Sequence, residues 1–222
     1  MKGLLLKDFY MIWKQAKIML ILVIAYIIIG VISDNSFWTV FAVIFMAMLP
    51  ITALGLDERS NWTNYAAMLP FSKQDIVMSK YVFGLAGVGL TVILYAVLSV
   101  LTNIVKGEGA QVDSILRMII PLLSISFIFI GTNLPIMFKV GVEKGRLWYM
   151  LSLMVIMGGS TFFVSLLNGK VGLSAVSGFL QMDIQMDQLT QSILILAFCA
   201  ILLLGSMKLA INAFERETYK AN

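Results

Sequence analysis

The sequence predicts an all-α integral membrane protein of six transmembrane helices, preceded by an N-terminal amphipathic interfacial helix. Three observations carry that prediction. Of 222 residues, 60% are hydrophobic and 13% charged, with mean hydropathy +0.94, well outside the soluble balance. Apolar runs recur at the length a spanning helix needs, about 20 residues for roughly 30 Å of hydrocarbon. The basic residues gather on one side of those runs.

Residues 1–17 read as an elbow helix. Leu5, Leu6, Phe9, Ile12, Trp13 and Ala16 share one helical face, and Lys7, Lys14 and Lys17 share another, the pattern of a helix lying in the headgroup plane. An ordinary basic anchor before a span would look much the same. The stretch is not a secretory signal, because Asp8, Lys14 and Lys17 interrupt its apolar part and no small-residue cleavage site follows; the N-terminus is expected to be retained.

The spans follow as Ile18 to Ile32, Phe37 to Leu56, Tyr81 to Val105, Met118 to Phe138, Leu147 to Leu167 and Gln191 to Ile211. The first is short, at 15 residues, and crosses if Lys14 and Lys17 snorkel. One membrane domain fills 1–222: spans one and two over 18–56, a polar connector over 57–80, spans three to six over 81–211, and a tail over 212–222. With both termini cytoplasmic, 13 of the 16 basic residues face inward, leaving Lys106, Arg117 and Lys170 outside, as the positive-inside rule requires. The net charge of +4 thus reflects orientation and calls for no nucleic acid.

Several function classes lose their chemistry. Apart from Lys208, close to the cytoplasmic end of the sixth, no span carries Asp, Glu, Lys or Arg, which removes the usual proton or ion pathway of a secondary carrier and the charged ring of a channel. The chain has no histidine, so the commonest general base and metal ligand is missing. Intramembrane proteolysis lacks its carboxylate pair, and Ser160, Ser165 and Ser206 lack a base. "NGKVG" at 168–172 is no phosphate loop. No catalytic residue and no metal site is expected. Cys199 sits alone in an apolar run and reads as a small buried hydrophobe. The glycines of "FGLAGVG" and Gly158–Gly159 mark close helix packing, within one subunit or at a dimer seam. Asn103, Thr132 and Asn133 either bond between helices or line a cavity.

The connector "DERSNWTNYAAMLPFSKQDIVMSKY" is the longest polar interruption between spans. Its first half opens with two carboxylates that suit a helix N-terminus and carries Trp62, Tyr65, Ala66 and Leu69 on one apolar helical face. Pro70 ends that helix, and Ser72 with Asp75 predicts a capped start for the next. An amphipathic helix and a hard corner suit docking of a partner; an interfacial helix resting Trp62 and Tyr65 at the headgroups is the competing expectation. A second loop, "FKVGVEKGR", brings Lys139, Glu143, Lys144 and Arg146 to the same side; by composition it is positive-inside charge.

The pattern Glu58, Trp62, Leu69–Pro70, Ser72–Lys73, Ile76–Val77 and Ser79–Lys80–Tyr81, with "KGLLLKDFY" and "FKVGVEKGR" in order around it, resembles small bacterial permeases of type-2 ATP-binding cassette (ABC) exporters. The resemblance spans essentially the whole chain. It implies a cytoplasmic coupling helix between spans two and three, docking in a cleft of an ATPase subunit through Glu58, Trp62, Tyr65, Leu69 and Pro70, with Ser72 and Lys73 at the corner. Lys139, Glu143, Lys144 and Arg146 would form a lesser contact. It further implies two ABC ATPase subunits, which hold ATP and Mg where this chain binds no cofactor, and a second permease of the same or a homologous kind. The setting would be the bacterial cytoplasmic membrane. Residues 169–190 would partly re-enter the membrane. Permeases of this shape that export phenol-soluble modulins or peptide antibiotics suggest an amphipathic peptide as cargo. A non-transporting immunity or scaffold protein that binds a peptide antibiotic is the alternative, with an uncoupled channel or carrier behind it.

Overall fold

The computed structural model describes residues 2–33, 35–60, 62–66, 72–107, 112–142, 144–145, 147–155 and 188–220. Every regular element among them is helical. In chain order these are α1 (Lys2–Ile32), α2 (Ser36–Ala47), α3 (Leu49–Arg59), α4 (Trp62–Ala66), α5 (Lys73–Lys106) and α6 (Val112–Val140). A helical stretch over 147–155, called α7, and α8 (Gln188–Lys220) complete them.

Among the described residues, four helices are long and apolar enough to cross a membrane, or five if the bent α1 is one span. α2 and α3 together form one of them, Ser36–Arg59, broken at Met48 beside Pro50 in the first turn of α3, where the missing N–H and the ring prevent a continuous helix. Of the expected fifth span, Leu147 to Leu167, only 147–155 belong to the described residues, and they are helical. Gly158–Gly159 and the stretch expected to re-enter the membrane up to 187 lie outside them.

α1 turns by 76° between Gly3–Trp13 and Ala16–Ile32. In its first half, Leu4, Asp8 and Ile12, at i, i+4 and i+8, are buried against the protein, while Leu6, Phe9 and Trp13 are exposed. The face the helix turns inward therefore differs from the apolar face read from the sequence, which grouped Ile12 with Phe9 and Trp13. An acidic residue sits on the inward stripe because the buried ammonium of Lys80 meets it there.

Two continuous cores hold the bundle. One joins α2, α5, α6 and α8 through residues such as Ile44, Tyr81, Val88, Phe129, Leu134 and Leu203; the other packs α1 on α2 and α3 through Ile12, Val23, Ile27, Met46 and Leu49. Glycines set the closest approach. A Cβ on Gly84 would lie 2.8 Å from Pro50 Cγ, and one on Gly87 3.1 Å from Leu49 Cδ1, whereas Gly89 faces open space. Two of the three glycines in "FGLAGVG" thus let α5 close on the kinked span within the subunit.

α6 keeps Pro121 and Pro135 inside its length. Pro135 has no N–H for the carbonyl of Gly131, and Ser206 Oγ on α8 donates to that carbonyl at 2.5 Å. With the Ser206 proton so committed, Tyr81 Oη on α5 donates to Ser206 Oγ at 2.8 Å. The proline's freed acceptor is therefore the origin of a buried hydrogen-bonded junction of three helices. A second interhelical tie runs from Ser152 Oγ to Asn133 Oδ1, 3.0 Å, while Asn133 Nδ2 donates to Phe129 O. Thr132 bonds only within its own helix, and Asn103 lines a polar cavity of about 360 Å³ at the bundle end opposite the connector.

Candidate functional site

The connector's two ends meet. Asp57, in the last turn of α3, and Lys80, in the second turn of α5, form an ion pair with Nζ to Oδ2 at 2.6 Å. Lys80 Nζ also reaches Asp8 Oδ1 at 2.7 Å. Lys7 Nζ lies 2.6 Å from Asp57 Oδ1 and 3.1 Å from Asp8 Oδ1. The side chains of Asp8, Lys80 and Asp57 are 1%, 2% and 4% exposed, and that of Lys7 22%.

Two ammonium groups and two carboxylates leave the cluster formally neutral, the condition under which charges persist in a desolvated place. Asp57 uses both oxygens, while Asp8 Oδ2 has no hydrogen-bond partner among the described residues. The effect is a clamp: α1, α3 and α5 are joined at one point, and the connector between Asp57 and Lys80 becomes a closed loop. None of these residues was singled out from sequence as part of a charge cluster, since positions 8, 57 and 80 share no local pattern.

The expectation that Asp57 and Glu58 open a helix is corrected. α3 continues through Arg59, and the separate helix α4 begins at Trp62, so both carboxylates stand at a helix C-terminus. That location is unfavourable for negative charge by itself, and other partners offset it. Asp57 has its lysines. Glu58 Oε2 accepts the backbone N–H of Val142 at 2.7 Å, at the start of the second loop. Gly141 there has φ +83°, and a Cβ on it would come within 2.8 Å of Glu58 Oε1, so glycine answers both the left-handed backbone and the close approach. Glu58 thus holds the two loops together. Of that second loop, Lys139 and Lys144 are exposed, and Glu143 and Arg146 lie outside the described residues.

α4 is short and carried on the clamp. Lys7 Nζ stands 4.3 Å from the centroid of the Trp62 ring, a cation–π contact, and the Trp62 and Tyr65 rings meet at 5.4 Å. Ala66 is buried, whereas Tyr65 is 56% exposed. Leu69 and Pro70 lie outside the described residues. Ser72 behaves as its spacing with Asp75 predicts: it is the N-cap of α5, and its Oγ accepts the Asp75 N–H at 3.1 Å. Lys73 follows, half-buried. The structure thus groups Trp62 and Tyr65 on one small helix, sets Glu58 apart at the end of α3 against the second loop, and places Ser72 and Lys73 at the head of α5.

No group of metal-ligating side chains forms among the described residues. Through Lys7, α4 touches the clamp, and the clamp joins the ends of α1, α3 and α5. Lys80 is followed by Tyr81, which bonds α5 to α8 and, through Ser206, to α6.

A family model described as "ABC-2 family transporter protein" matches residues 3–215. Neither the curated proteins nor the solved structures contain a match.

Proposed function

The chain belongs to the ABC-2 family of transporter proteins, and from that premise we propose that it is the transmembrane permease subunit of a type-2 exporter driven by separate ABC ATPase subunits. Six spans in the bacterial cytoplasmic membrane, both termini cytoplasmic, would put the connector on the side where ATP is made. Two ATPase subunits, holding ATP and Mg, would dock on α4 and its flanks, and a second permease would complete the pathway. Tyr65 and Trp62 are the proposed contact, with Leu69, Pro70, Ser72 and Lys73 around them, while Glu58 acts from behind by fixing the loop of Lys139, Glu143, Lys144 and Arg146. The proposed cargo is an amphipathic peptide, a toxin or an antimicrobial.

One observation carries the docking role: the connector's ends are locked by ions that are almost fully desolvated, while Tyr65 on α4 is 56% exposed. A helix that served only to rest on headgroups would need no buried charge cluster at its root. A docking helix needs a rigid root, because force applied to a loose loop is lost in the loop.

The test is purification of the chain in mild detergent, with identification of co-eluting proteins and assay of ATP hydrolysis. A stoichiometric ATPase is expected. Trp62→Ala and Tyr65→Ala should weaken its retention by about tenfold or more, the range of interface hot spots, with membrane insertion unchanged. A chain that elutes alone under conditions preserving complexes would return α4 to an interfacial anchor and favour a non-transporting immunity or scaffold protein.

A further inference from the structure

We propose that the cavity beside α3 holds one phospholipid, with an acyl chain inside and its phosphate on Arg59. The cavity, about 550 Å³, lies between α3, the end of α6 and the start of α7, with walls from Met48, Ile51, Thr52, Met137, Tyr149 and Met150. Its polarity is graded. Met48 marks one end of α3, and Glu58 and Arg59 stand at the other. The 11 residues of α3 span about 16 Å at 1.5 Å per residue, the reach of a chain from headgroup level toward the bilayer centre.

The charges choose the ligand's head. The Glu58 carboxylate is turned to the Val142 N–H. Arg59 is exposed, and among the described residues it makes no ion pair. It stands where the apolar run Ser36–Arg59 ends, the depth of lipid phosphates, for which a guanidinium is the preferred partner.

The volume chooses the tail. An α-helix with side chains is about 10–12 Å across and rises about 5.4 Å per turn, so 550 Å³ accommodates little more than one turn. An amphipathic peptide needs several turns to present two faces. A single flexible acyl chain fits an apolar cavity that three methionines can reshape.

Native mass spectrometry of the full chain, purified in mild detergent and equilibrated with phosphatidylglycerol mixed micelles, tests this. The expected result is one phospholipid retained through washing. Arg59→Gln should weaken retention by about tenfold, since a hydrogen bond to a charged group contributes roughly that factor. Thr52→Phe, which fills the cavity, should abolish it; Met150→Trp on the open wall serves the same purpose should Thr52→Phe not fold. Met154→Phe, at an exposed position outside the lining, should retain the lipid. No retained phospholipid in the unsubstituted chain, or equal retention in the filled variants, would overturn the assignment. So would displacement of the lipid by an amphipathic peptide, or a lipid-free dimer cross-linked through Met150→Cys, which would give the cavity to cargo or to a second copy.

Discussion

Lys80 places an ammonium in a position almost free of water, and everything about its surroundings follows from that. Its charge is tolerable only because Asp8 and Asp57 stand at 2.7 and 2.6 Å. Such clusters stabilise little compared with a well-packed apolar substitute, yet removal of one partner is costly because the others stay charged and desolvated. Lys80→Met should therefore lower stability by about 3–5 kcal/mol. Lys7→Met should cost clearly less, since its side chain is 22% exposed and water can replace it. Combining Lys80→Met with Asp8→Asn and Asp57→Asn should recover much of the loss. Thermal unfolding in detergent measures all three, and a Lys80→Met midpoint equal to that of the unsubstituted chain would refute the buried clamp. At this scale the sequence was least legible. Three residues separated by 49 and 23 positions have no periodicity to betray them, and Asp57 and Glu58 imitate a helix start while standing at a helix end.

The elements were easier to read where local chemistry decides them. Ser72 caps α5 because a hydroxyl three residues before an unpaired N–H has one good bond to make, and that is visible in four letters. Pro50 and Pro135 announce trouble for a helix, but not how it is resolved. The resolution lies on other helices: Gly84 and Gly87 receive the bend at Pro50, and Ser206 takes the carbonyl that Pro135 leaves open. This ranks two substitutions. Tyr81→Phe removes one hydrogen bond and leaves Ser206 on Gly131, a loss of about 0.5–1.5 kcal/mol. Ser206→Ala strands both the Gly131 carbonyl and the Tyr81 hydroxyl inside the protein, at about 1–3 kcal/mol for each unsatisfied group. Unfolding midpoints should fall in that order, and the reverse order would mean that α6 and α8 do not meet at this junction.

Across the whole molecule the charges are distributed in a way that bears on energy source. Among the described residues the buried charged side chains are Asp8, Asp57 and Lys80, all at the connector end and neutralised together with the partly exposed Lys7. The remaining buried polar groups in the spans, such as Thr91, Ser99, Ser124 and Asn133, do not titrate in the physiological range. Hydropathy made the four helices of spanning length legible, because the cost of a charge in hydrocarbon writes itself into composition, and among the described residues no buried Asp, Glu, Lys or Arg lies away from the connector end. An energy input at one end of the bundle, such as the ATPase docking proposed at the connector, fits that distribution. Inverted vesicles containing the chain with its ATPase should accumulate an amphipathic peptide when ATP is supplied, and should continue to do so after a protonophore collapses the proton gradient. Accumulation that stops with the gradient while ATP remains would place the energy input in the membrane, and the clamp at residues 8, 57 and 80 would then be a brace for the fold with no part in transmission.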